Sequence, residues 1–192
     1  MANVVYNLLV NGASGVTIGG TGATIKYFPN VPGASIGVNS TSNGYLRIPG
    51  NNAANGQRLS VRAGGNYQVA TASGTVTIGL YPVTFVGTVG TVGATAILSA
   101  VAASSSEGEF ATAYPFQLTA DIVCDSGSGL ATLCAGSVQV DGTNTNGTAG
   151  LITGLSAINM GASTPFGLVL GVTFATSETG NSATCYQFDL SQ

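Results

Sequence analysis

Few residues in this chain have the type and spacing that chemistry requires. Gly33-Ala34-Ser35-Ile36-Gly37 has the Gly-x-Ser-x-Gly spacing of a nucleophile elbow. Such an elbow needs a base to take the serine proton and a strand-to-helix turn to present the hydroxyl. No histidine occurs among the 192 residues and no helical pattern follows Gly37, so the segment reads as a Gly/Ser loop. The absence of histidine also removes Ser-His-Asp and Cys-His pairs, histidine metal sites and an imidazole pH switch. Asp141-Gly142-Thr143-Asn144-Thr145-Asn146-Gly147 offers hard oxygen ligands of the kind calcium takes. It has one carboxylate, and Ile152 stands where an EF-hand needs its twelfth-position glutamate, so it reads as a polar inter-strand loop.

The remaining candidates are weaker. Glu107 and Glu109 flank Gly108 in a Ser-rich stretch, and Asp121 and Asp125 lie near a hairpin end. Acid-base work needs two carboxyls whose surroundings push their pKa values apart, and exposed loop carboxylates both stay ionised. Gly87-x-x-Gly90-x-x-Gly93 opens no helix and reads as an uncharged connector. Arg47, Arg58 and Arg62 suggest a small basic patch or partner contacts, too few to neutralise a nucleic-acid backbone. Asn39-Ser40-Thr41 and Asn146-Gly147-Thr148 match the glycosylation acceptor, a match common by chance in such a composition. Cys124, Cys134 and Cys185 form no Cys-x-x-Cys, and an odd number leaves at least one outside any intrachain pair; buried thiols are the default. A Cys124–Cys134 bridge is conceivable, but the turn between them would not set them directly opposite. No catalytic, cofactor-binding or metal-ligating residue is assigned, no cofactor is expected, and the chain is expected not to be an enzyme.

Composition agrees. Four Lys+Arg and seven Asp+Glu make only 6% of the chain charged, with a net charge of −3, 29 glycines and no tryptophan. A usual domain is about 25% charged. Neither nucleic acid nor an anionic membrane is an expected partner. The longest dense apolar run, Phe166 to Ala175, is half of the roughly 20 residues a spanning helix needs. The start lacks a basic signal-like region, which points to synthesis in a cytoplasm. From Ala63 to Ser106 there is no charged residue at all.

The elements that would carry these residues are strands. Helix formers are sparse, glycine interrupts everywhere, and Val, Ile and Thr recur. Strands are expected at Val16–Ile18, Ala23–Phe28, Tyr45–Ile48, Arg58–Arg62, Tyr67–Ala70, Gly74–Phe85, Tyr114–Cys124, Leu130–Val140, Pro165–Thr176 and Ala183–Leu190. In Arg58–Arg62 both arginines fall on one face and Leu59 and Val61 on the other. Ala94–Ala103 is ambiguous with a short helix, and its flanks favour a strand. Pro82 argues for an edge, a bulge or a strand end. Asp125–Gly129 and Ser177–Ser182 both read as hairpin turns. The fold class is all-β, a two-sheet sandwich of about eight or nine strands from Tyr45 onward. Residues 1–44 read either as one or two extra strands or as an arm contacting neighbouring subunits, with the sandwich domain spanning 45–192.

The last third carries a resemblance. Phe116-Gln117-Leu118-Thr119-Ala120, the Gly/Ser hairpin, Ile158-Asn159-Met160, Thr164 to Phe174 and Tyr186 to Leu190 follow a layout that resembles the decoration (cement) proteins of tailed bacteriophage heads. The resemblance covers roughly Tyr45 to the end. It implies a jelly-roll-like sandwich, commonly a homotrimer, bound to the major capsid protein on the outer surface of the virion and stabilising the shell. Two other readings stand beside it: a phage tail tube, fibre or spike subunit, and a carbohydrate-binding β-sandwich module. Missing tryptophan counts against the last, and seven tyrosines keep it open. Scarce charge suits sheet edges covered by partner subunits, and Phe116, Phe166, Phe174 and Phe188 are expected in the core.

Overall fold

A computed structural model describes residues 5–7, 16–20, 25–28, 39–40, 46–48, 58–70, 74–86, 89–103, 113–124, 130–140, 155–159 and 166–191. Their regular elements are all strands: β1 (Val5–Asn7), β2 (Val16–Gly20), β3 (Lys26–Tyr27), β4 (Asn39–Ser40), β5 (Leu46–Ile48), β6 (Arg58–Gln68), β7 (Thr75–Val86), β8 (Val89–Val92), β9 (Leu98–Ala103), β10 (Tyr114–Cys124), β11 (Leu130–Val140), β12 (Leu155–Asn159), β13 (Phe166–Phe174) and β14 (Asn181–Ser191). They form two antiparallel sheets. In the first, β14 lies between β6 and the pair β1 and β2, and β10, β11 and β12 continue outward from β6. In the second, β13 lies between β7 and the pair β3 and β5, and β8 and β9 line the far side of β7, with β4 beyond β8.

Several short strands are pieces of one. β1 and β2 flank the same strand, at Asp189–Ser191 and at Asn181–Cys185. β3 and β5 share β13, and β8 and β9 share β7. With the pieces merged, eight strand positions numbered along the chain fall in the orders 1-8-3-6 and 2-7-4-5. That is the jelly-roll arrangement of two interlocked Greek keys. The β11–β12 segment widens the first sheet. The described parts of residues 1–44 are the strands β1 to β4, which pair with β14, β13 and β8.

Alternation builds the core. Leu59, Val61, Ala63 and Tyr67 of β6 face Val76, Ile78 and Leu80 of β7 across the sandwich, all 2% exposed or less. Phe116, Phe174 and Phe188 join them, whereas the side chain of Phe166 lies outside the described residues. Each such side chain contributes roughly 1.5–3 kcal/mol through burial. A second cluster of Tyr27, Tyr81, Val83, Phe85, Val92 and Val169 occupies the opposite face of the second sheet. There the cross-strand pair Gly79 and Gly171 leaves space that the Tyr81 ring fills; a Cβ on Gly171 would come within 2.7 Å of it. Tyr27 meets Tyr81 edge-on at 5.6 Å.

Three expectations need correction. Arg58 to Gln68 is one strand that runs through Gly64-Gly65 without a break. Ser177–Ser182 does not close a hairpin: β13 pairs with β7 and β14 with β6, so the turn crosses between sheets. Asn181 fastens that crossing, its Oδ1 accepting from Ala70 N at 2.8 Å and its Nδ2 donating to Thr176 O at 2.9 Å. Pro82 lies inside the central strand β7, and the expected edge appears one strand away. Its carbonyl accepts from Gly93 N at 2.8 Å, on the side where β8 has ended and β9 has not begun. In antiparallel strands a residue's N–H and C=O point to the same neighbour. The missing N–H of Pro82 therefore faces the break, and the proline explains why that strand is split. Leu98–Ala103 is a strand as expected, and β10 and β11 pair antiparallel as the hairpin reading requires.

Gly65 is the most crowded of the described glycines. A Cβ there would overlap the Thr184 carbonyl oxygen and lie 2.7 Å from the Phe116 ring. Gly65→Ala is expected to cost about 3 kcal/mol, as overpacking against backbone does. Urea unfolding of the variant beside the parent protein measures it.

Candidate functional site

The outer face of the first sheet collects the functional side chains. Alternation along β6 sends Arg58, Ser60, Arg62, Gly64 and Asn66 outward, and the register places Asp121, Thr119 and Gln117 of β10 and Asp189, Gln187 and Thr184 of β14 beside them. Asp121 pairs with the Arg58 guanidinium and accepts from Ser60 Oγ at 2.7 Å. Arg62 stands across from Asp189, whose carboxylate accepts from Gln187. Thr17 and Thr184 hydroxyls meet at 2.8 Å across β2 and β14. The result is a polar surface whose described charges are two arginines and two aspartates.

One irregularity shapes it. Cys185 pairs with Gly65 and Gln187 with Gly64, so Tyr186 is an extra residue, a β-bulge. Such a bulge re-aims the side chain it carries. The bulge flips the alternation: Ala183 and Cys185 face the core before it, and Phe188 and Leu190 after it. Tyr186 and Gln187 thus both turn outward. Tyr186 is 46% exposed as a residue, and its hydroxyl accepts from Asn66 Nδ2 at 3.0 Å. Sequence reasoning missed this residue, although the shift from odd to even apolar positions in Ala183–Leu190 was the signal.

The other residues singled out in the sequence are not brought together. Arg47 is in β5 of the second sheet, whereas Arg58 and Arg62 are in β6 of the first. Gly33–Gly37, Glu107, Glu109, Asp125 and Asp141–Gly147 lie outside the described residues. Gly90 is in β8 and Gly93 just after it, in the broken strand. Cys124 pairs in register with Ala131, and Cys134 is the extra residue of a second bulge opposite Asp121 and Ile122, so the two are not opposite each other. Cys185 is free and buried, its thiol donating to Gln187 O at 3.1 Å. Among the described residues no three His, Cys, Asp or Glu cluster as metal ligands would, and no helix is long and apolar enough to cross a membrane.

Comparison with known proteins adds little. No protein-family model matches the chain, and no curated protein matches it. Among solved structures it is similar to the CBM2 module of the evolved Dit of Lactobacillus casei BL23 phage J-1. The identity is 12% and the TM-score 0.35, over 100% of this chain and 97% of that one. So remote a likeness carries no argument about the site.

Two titrations follow from the geometry. The Arg58 guanidinium, helped by Ser60 and Arg62, holds the Asp121 carboxyl below its ordinary 3.8 despite some burial. A carboxyl that is more acidic in the folded state stabilises fully above its unfolded pKa and loses that contribution as pH falls through the folded one. Stability should therefore drop below about pH 4, and less steeply in Asp121→Asn, when urea midpoints are compared across pH. Burial pushes the Cys185 thiol up to about 12. In a Cys124→Ser, Cys134→Ser background, Cys185 should resist a thiol-reactive dye at pH 8 and react fully in denaturant; prompt labelling of the folded protein would contradict its burial.

Proposed function

We propose that this chain is a non-enzymatic structural protein of a bacteriophage virion, a head decoration protein that binds the major capsid protein from outside and associates with copies of itself as a homotrimer. One observation carries the assembly. β9 has no hydrogen-bonded strand partner besides β7 among the described residues, although β11 of the first sheet comes close to it, and its side chains Ser99 and Val101 on the outer sheet face are exposed, Val101 by 51%. It lies within the stretch from Ala63 to Ser106 that holds no charge. Monomeric sheet proteins guard such an edge with lysine or other charges. An edge without them is suited to burial against a neighbour, and repeated copies on a shell would add avidity to each weak contact. The layout of Phe116 to Leu190 supports the decoration role within that class, and residues 1–44 are proposed to make an intersubunit or lattice contact.

Val101→Lys tests the edge. Its exposure leaves the protomer's fold intact, so the far-UV circular dichroism spectrum should not change. Light scattering should show the parent protein as an oligomer and the variant as a monomer. Electron microscopy should show the parent on the outside of head shells from the same virus and the variant at much reduced occupancy. Full occupancy by Val101→Lys, or localisation of the parent protein to tails, would contradict the reading.

A further inference from the structure

The polar face of the first sheet holds a feature separate from the β9 edge. Gln117, Gly64 and Gln187 lie side by side on β10, β6 and β14. A Cβ on Gly64 would meet only Phe116 O, at 3.9 Å, so the glycine is not there to relieve a close approach. It leaves a slot in the sheet surface, about 10 Å across between the glutamines at the usual strand spacing. Asn66 borders the slot along β6 at one end and Arg62 at the other, and Tyr186 is turned out beside it by the bulge. Glycine in a strand interior marks a bulge, a tight bend or the close approach of a ligand or another backbone; Gly64 lies opposite the bulge at Tyr186 and also leaves the surface above it open.

We propose that this slot binds a neutral saccharide, with one pyranose ring stacked on Tyr186 over the Gly64 backbone. The chemistry selects that occupant. The aromatic ring offers an apolar face rigidly mounted on a strand, with its hydroxyl already fixed by Asn66. The exposed amides of Gln117 and Gln187 both donate and accept, as sugar hydroxyls do. Arg62 and Asp189 stand opposite each other at the slot's border, one positive and one negative, so the site carries no net charge to favour an anion or a cation. A large planar side chain bearing a polar tip is well suited to an interface that is apolar on one side and wet on the other. The site is independent of the β9 edge, which belongs to the other sheet.

The experiment is an amide NMR titration of the full chain with maltohexaose, cellohexaose and chitohexaose, with oligogalacturonate as the anionic control. At least one neutral hexaose should shift the amides of Gly64, Asn66, Tyr186 and Gln187 saturably below about 10 mM. Tyr186→Ala and Gly64→Val should each weaken that binding about tenfold or more without moving the melting temperature, the second by filling the slot. Tyr186→Phe, which keeps the ring, should retain most of it. The proposal fails if no neutral hexaose binds, if oligogalacturonate binds more tightly than all three, or if both Tyr186→Ala and Gly64→Val bind as the parent does.

Discussion

A strand edge in water is a template for another strand, and this protein has almost no charge with which to block it. Its four basic residues all fall between Lys26 and Arg62. The architecture answers by shortening the edges. The strand beside β14 is split into β1 and β2, the strand beside β13 into β3 and β5, and the strand beside β7 into β8 and β9. In the last case the split has a covalent cause, since Pro82 offers no N–H at the break. Broken edges limit edge-to-edge pairing and leave β9, six residues long, as a short uncharged strand hydrogen-bonded only to β7 among the described residues.

The two faces of the sandwich solve a related problem differently. The second sheet covers its outer face with aromatic side chains, and Tyr81 lies over the Gly79–Gly171 pair. The first sheet leaves its outer face to water and pairs its charges off within that face. Adjacent glycines there have opposite duties. Gly65 points inward, where Phe116 and Thr184 leave no room for a side chain, and Gly64 points outward into open space. The bulge at Tyr186 sits beside both: it lets β14 change phase so that Cys185 and Phe188 both reach the core, and in doing so it turns an aromatic ring out next to Gly64.

Much of this was legible in the sequence. Alternation located the first half of β6 and the start of β7, placing Arg58 and Arg62 opposite Leu59 and Val61, and the turn residues between apolar runs bounded β10, β11, β13 and β14. The loop Asp125–Gly129 was readable as a hairpin because both flanking strands have one apolar face and suit neighbouring places in a sheet. Ser177–Ser182 was not, since the same turn residues serve a hairpin or a crossing, and the choice depends on which sheet offers β14 a partner. The merging of short strands into jelly-roll positions was also hidden, because pieces two to five residues long carry too little periodicity to be assigned to a common neighbour. The slot escaped notice because Gly64 and Gly65 look alike in sequence, and only the packing separates the crowded one from the open one.

Hydrogen exchange at the amides of β9 tests the central claim most directly. If the uncharged edge is the contact between copies, the outward-facing amides of Leu98–Ala103 exchange rapidly in dilute protein and become protected as concentration rises and the oligomer forms. Rapid exchange of those amides in the assembled particle would show that the edge remains in water and that assembly, if it occurs, uses another surface.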